Sequence, residues 1–227
     1  MAEIAPDLHA ELTDMVRALS PLLNAQAFSS VSSSYVNMRG LICLSHADDP
    51  VLQAETLIHE FCHQKMNQLL AADPVLLPGQ GGQVFYSPWR KDARRLRGLL
   101  LGAHAFLNVA RYLDKEVSRA PVRGEAALEL MLGTASRLYQ VEEALRTLSF
   151  YASFTEFGRR FMLEMWRELG GLFHGAQRYP PSVMAEARRR ARTHREAHAL
   201  FQTGFHRSED FVDRVKHAPY STAESGI

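Results

Sequence analysis

A short apolar run followed by a capped helix with two histidines one turn apart constrains this chain more than anything else in it. Leu41-Ile42-Cys43-Leu44 reads as a buried strand within residues 39–45. Asp48-Asp49-Pro50 then supplies a helix N-cap and a proline at the first helical position. The helix that follows is predicted from Val51 to about Leu70, and it contains His59-Glu60-Phe61-Cys62-His63, an H-E-x-x-H pentapeptide. Four residues turn a helix by about 400°, so His59 and His63 share a face and their imidazoles can share one metal ion. Glu60 sits about 100° round the helix, where a carboxylate can address water or a ligand beside the metal. A second pair at the same spacing, His194 and His198, lies in a strongly basic stretch and reads as a chance recurrence among 10 histidines.

Composition narrows the classes around that site. With 46% hydrophobic and 22% charged residues, the 227-residue chain reads as one globular domain over 1–227. Its net charge of +1 gives no bulk attraction to nucleic acid or to a membrane surface. The two cysteines, Cys43 and Cys62, form no CxxC, so neither a disulfide framework nor a thiolate zinc cluster is expected. The N-terminal residues lack a basic and apolar signal pattern, and no apolar run reaches membrane-span length. The expected compartment is the reducing cytoplasm.

The rest of the chain reads as mainly α, with a minor β element before the metal helix. Residues 7–28 are predicted as an amphipathic helix, interrupted near Ser20-Pro21, and Ser29–Ser34 as a serine-rich loop. Residues 71–87 form a long Pro/Gly loop with a strand-like Gln83-Val84-Phe85-Tyr86, and its glycines lack the Gly-Lys-Ser/Thr of a phosphate loop. Helices follow over about 92–119, 123–148 and 155–169, broken at Pro121 and closed at Gly170-Gly171. A last helix is expected over 182–205 and a loose tail over 210–227, with the metal core over about 38–170.

Two histidines need a third protein ligand. The extended metzincin pattern requires Gly and His where this chain has Met66 and Leu69. Downstream glutamates, including Glu116, Glu125, Glu129, Glu142 and Glu143, lack an Asn-Glu-x-x-x-Glu context. The preferred candidate is His104, in an otherwise apolar helix where an unpaired imidazole is costly to bury. A core histidine bonded to a carbonyl fits it equally well. Gly102, Ala103 and Ala105 would allow that helix close to the metal helix, while His174 and His206 lie nearer loop boundaries. A second constellation runs from Tyr86 to Gly98 and puts five cations and two aromatics at a loop-to-helix junction, with Asp92 as a possible N-cap. Arginine binds carboxylates bidentately, so this segment is either a solvated basic turn or an anion site. The Arg188-Arg189-Arg190, Arg192, Arg195 cluster reads most simply as a solvated face partly paired with Glu186 and Glu196; the alternative is a grip for an acidic peptide or nucleic acid.

Several of these segments, taken in order, resemble a family of bacterial HExxH-motif proteins described as α-ketoglutarate-dependent peptide β-hydroxylases. They are Gly40–Ser45 with Asp49-Pro50, then Glu55–His63, then Tyr86–Arg94 with Arg97-Gly98-Leu99-Leu100 running into Ala105-Phe106, and a looser stretch over 148–158. The Ser87-Pro88-Trp89-Arg90 segment is the more specific feature. Family members often carry proline where this chain has Ala93 and Arg95. The resemblance implies Fe(II), 2-oxoglutarate and O2, and hydroxylation at a Cβ of a ribosomally synthesised precursor peptide. It implies His59 and His63 as iron ligands, with His104 the expected third. Arg90 or Arg94 would hold the co-substrate beside Ser87 and Trp89, and Glu60 would orient water or a ligand. The chain has no radical-SAM cysteine motif of its own, so the resemblance implies that it acts alone or with a separate radical-SAM maturase. The alternative reading is a zinc-dependent peptidase with Glu60 as general base.

Overall fold

The computed structural model describes residues 1–23, 31–119 and 124–198. The chain is mainly helical, with a small sheet packed beside the first long helix. Helix α1 (Pro6–Met15) leads into strand β1 (Ala18–Leu22), and β2 (Ser32–Ser34) and β3 (Leu41–Ser45) complete a three-stranded sheet in the order β1-β3-β2. β1 runs parallel to β3, with Ala18 opposite Leu41, and β2 runs antiparallel to it, with Ser33 opposite Cys43. Two expectations are corrected here. The predicted helix over 7–28 stops at Met15, because the chain beyond it pairs with β3. Pro21, which has no N–H to donate, is accommodated because β1 is an edge strand. Part of the serine-rich loop is strand β2, with Ser32 and Ser33 buried.

Helix α2 (Pro50–Ala72) starts as predicted, with Asp49 accepting a hydrogen bond from the Val51 amide at 2.8 Å. Buried polar side chains fasten the sheet to it. Gln64 donates to the carbonyls of Tyr35, Met38 and Leu41 at 3.1–3.2 Å, closing the β2–β3 connection onto the helix.

After α2 a two-stranded ribbon forms from β4 (Val84–Phe85) and β5 (Arg94–Arg95), with Phe85 opposite Arg94. It clamps residues 86–93 into a loop and feeds directly into α3 (Leu96–Arg119). Asp92 is therefore not the cap of this helix, which begins four residues later because Arg94 and Arg95 are held in the ribbon. α3 is the central helix, packed against α2, α4 (Glu125–Tyr151) and α5 (Glu156–Gly175), while α6 (Pro181–His198) lies along α4. Leu99, Leu100, Leu107, Phe61, Ile58, Leu138 and Leu145 are all inaccessible to solvent or nearly so. Burying one such side chain contributes about 1.5–3 kcal/mol. Gly170 and Gly171 do not close α5, which runs on to Gly175; both glycines face open space and are absorbed at the modest propensity cost of glycine in a helix. Pro121 and the tail over 210–227 lie outside the described residues, as does the predicted end of the last helix beyond His198.

Candidate functional site

The helical spacing of the two histidines places their rings as the periodicity requires. His59 Nε2 and His63 Nε2 stand 2.9 Å apart, with the rings edge to face. Burial pushes both imidazoles toward the neutral form, His59 well below its ordinary range and His63 down to about 4. A neutral imidazole nitrogen is the form that ligates a metal.

These rings open on a cleft of about 110 Å³, lined also by Trp89, Arg90, Arg94, Gly98, Leu101 and Gly102. The ribbon thus folds the basic segment back over α2, and two constellations separated by some thirty residues share one cavity. Asp92 holds the two arginines together: Arg90 Nε donates to one carboxylate oxygen at 2.9 Å, and Arg94 Nε lies 3.0 Å from the other. Burial raises the Asp92 carboxyl, but the Arg90 hydrogen bond and the two guanidinium charges outweigh it and hold the group below its usual range.

Trp89 is seated on α3. Gly102 leaves the space its indole fills, since a Cβ there would stand 2.6 Å from Trp89 Cε2. Gly102 therefore admits the Trp89 ring, while α3 also packs against α2, as the small residues of its sequence had suggested. Behind the cleft, Phe106 lies 5.2 Å from Trp89 and 4.6 Å from His59, between ring centres. The Arg137 guanidinium caps that phenyl ring at 4.6 Å while its Nε donates to Glu55 at 3.0 Å. Neither Gly102 nor Arg137 is marked by the motif. The Gly98-x-x-x-Gly102 spacing, which bares one face of a helix, was the available signal for the first.

The remaining predicted residues lie elsewhere. Glu60 is buried and accepts a hydrogen bond from Ser32 Oγ at 2.8 Å and another from Ser34. Burial raises its carboxyl, partly offset by the two serines. It fastens β2 to α2 and does not line the cleft. His104 is not among the cleft residues either; its Nε2 lies 3.4 Å from Asn108 Nδ2, its ring faces Phe161, and its Nδ1 is buried without a partner among the described residues. Burial lowers its pKa to about 3, and the neighbouring charges of Lys65, His63 and Arg111 act in the same direction. Ser87 is buried beside the cleft segment, its Oγ also unpartnered among the described residues.

Among the described residues, no group of three or more His, Cys, Asp or Glu side chains converges as a metal cage. The donor set offered to one ion is the imidazole pair, which fits a metal held by two histidines with its other positions left to further ligands. The second pair, His194 and His198, is committed differently: His194 Nδ1 is 2.6 Å from the Tyr86 hydroxyl, tying α6 to the residue after β4. No helix among the described residues is long and apolar enough to cross a membrane. No protein-family model matches the chain, and no curated protein matches it in sequence.

Proposed function

We propose that this chain is an Fe(II)- and 2-oxoglutarate-dependent oxygenase that hydroxylates a Cβ position of a ribosomally synthesised peptide. One observation carries the reading: the convergent His59–His63 pair and the Arg90–Arg94 pair line the same small cleft. A metal-ligand pair beside two carboxylate-binding cations suits a co-substrate with one carboxylate for the metal and one for the protein. The reaction consumes peptide, O2 and 2-oxoglutarate and yields hydroxypeptide, succinate and CO2. Bound iron would supply the O2 activation. His59 and His63 would hold it; His104, the proposed third histidine, does not line the cleft and would have to turn toward it to serve. Arg90 and Arg94, kept in register by Asp92, bind the distal carboxylate. Trp89 and Leu101 wall the cleft and exclude water. The unpaired, buried Cys43 and Cys62 suit a reducing compartment, and we place the protein in the cytoplasm. A separate radical-SAM maturase acting on the same precursor peptide belongs to this proposal.

The zinc peptidase alternative asks Glu60 to activate water at the metal, whereas the Glu60 carboxylate is engaged by the serines of β2. Succinate formation tests the choice, with purified protein, Fe(II), ascorbate, O2 and 2-oxoglutarate. We expect peptide-independent turnover that is lost in His59→Ala and that requires more 2-oxoglutarate in Arg90→Ala and Arg94→Ala. Zinc-dependent peptide hydrolysis without O2, and no succinate, would overturn the assignment.

A further inference from the structure

The basic cluster of α6 has a use that the cleft does not absorb. Between α4 and α6 lies a groove of about 420 Å³ lined by Tyr86, Pro88, Tyr139 and Gln140 together with Arg188 and Arg192. A second hollow of about 360 Å³ shares Tyr139, Arg188 and Arg192 and extends the groove past Met184 toward Pro181. The 420 Å³ groove is lined by four arginines against two glutamates, a net charge of +2. Two of those arginines are neutralised within the groove: Arg146 donates to Glu142 at 2.7 Å, and Arg195 to Glu143 at 3.1 Å. The other two are left to an outside partner. Arg188 lies over the Tyr139 ring at 5.4 Å and forms no ion pair among the described residues. Arg192 is 3.8 Å from Glu196, with both side chains exposed, a contact worth little.

We infer that this groove docks an acidic segment of the peptide substrate, with carboxylates against Arg188 and Arg192 and apolar side chains against Tyr139, Pro88 and Met184. Charge complementarity selects the occupant. The cations are discrete and alternate with aromatic and apolar surface, as a peptide of interspersed acidic and apolar residues requires, whereas an unbroken phosphate backbone would find only Arg188 and Arg192 left to meet its charges. Position supplies the link to chemistry. Pro88 lines the groove and the next residue, Trp89, lines the cleft, while Gln140 in the groove donates to the Pro88 carbonyl at 3.2 Å. A peptide held along α4 and α6 is thereby brought to the wall of the His59–His63 cleft. The inference rests on the oxygenase reading for the word substrate, but not for the binding itself.

The test is fluorescence anisotropy with a labelled synthetic peptide of alternating Asp/Glu and Leu/Phe, alongside a Lys-for-Asp/Glu version and a single-stranded oligonucleotide. The full chain should bind the acidic peptide, more weakly as salt rises, and should ignore the lysine peptide. Arg188→Glu with Arg192→Glu should weaken binding at least about tenfold, as should the milder Arg188→Gln with Arg192→Gln to a smaller degree. Peptide-free succinate formation should be unchanged in both, which also shows that they fold. Equal acidic-peptide binding by wild type and the charge-reversed variant would overturn the proposal. So would oligonucleotide binding without acidic-peptide binding. Arginine-dependent peptide binding without succinate from any variant would leave the docking groove standing and remove the oxygenase.

Discussion

Gly102→Ala tests the close fit on which the cleft depends. The new Cβ would stand 2.6 Å from Trp89 Cε2 and nearer still to Cζ2. Carbon atoms settle at about 3.5–4.0 Å, so the indole must retreat by about 1 Å or more. Phe106 blocks one direction at 5.2 Å between ring centres, which leaves the 110 Å³ cleft as the direction of retreat. Overpacking of this kind costs about 1–3 kcal/mol, and alanine in place of glycine in a helix interior offsets about 1 kcal/mol of it. The net change is then a loss of up to about 2 kcal/mol. Gly133→Ala is the matched control, since Gly133 is exposed within α4 and a Cβ there meets nothing within 4 Å. It should gain about 0.5–1 kcal/mol from propensity alone. The gap between the two variants isolates the steric cost. At roughly 2–4 °C per kcal/mol for a chain of this size, that gap is several degrees in a thermal melt. The displaced indole should also weaken 2-oxoglutarate binding, read by isothermal titration, in Gly102→Ala and not in Gly133→Ala. A Gly102→Ala melt at or above that of Gly133→Ala, with unchanged titration, would refute the packing argument.

Other substitutions and conditions read other parts of the structure. Glu60→Gln should keep peptide-free succinate formation within about tenfold of wild type, whereas loss of a general base costs about 10²–10⁴; a loss of that size would make Glu60 part of the chemistry. Gly158→Ala should destabilise by about 3 kcal/mol or more, because its Cβ would overlap the Val75 carbonyl, whose carbon lies 2.9 Å away and is backbone that cannot swing aside; denaturant titration showing under about 1 kcal/mol would contradict this. In EDTA, acid should destabilise the fold through its buried histidines. His63 and His104 are held near 4 and 3 in the fold against 6.5 in the ordinary state. The unfolded chain therefore takes up protons first, and stability is full above about 6.5 and declines as pH falls toward the folded values. At about pH 5.5 each histidine costs about 1.4 kcal/mol, and equal melting temperatures at about pH 5.5 and 7.5 would refute their burial.

Local signals carried most of the fold. Asp49, Pro50 and the apolar period of α2 are neighbours in sequence, so the helix and its cap could be read without tertiary information, as could β3 and the helices of the second half. The misread stretches are those whose state depends on a distant partner. Residues 18–22 continue an amphipathic pattern, yet pairing with Leu41–Ser45 makes them strand. Arg94 and Arg95 look like a first helical turn until Val84 and Phe85 claim their backbone. Gly170 and Gly171 signal a stop, but a weak penalty loses to the packing of Leu169 before them and Ala176 after them.

The site divides along the same line. Ring convergence of His59 and His63 follows from a period of 3.6 and from nothing else, which is why it was legible. What stands 100° round the helix is not set by period. Glu60 takes its role from whichever element packs there, and that element is β2, three serines that carry no strand signal on their own. The hydroxyls of Ser32 and Ser34 satisfy a carboxylate that would otherwise be a costly buried charge, so the same residue that the motif marks for chemistry serves to anchor a sheet. The arginines reach the cleft through a two-residue ribbon too short to be seen in composition. It is Asp92, read as a helix cap, that sets their spacing there by accepting from one guanidinium and pairing with the other. A dicarboxylate entering this cleft therefore meets two cations already held together by a carboxylate. The Asp92 bridge is thus a template for the contact that a co-substrate would make.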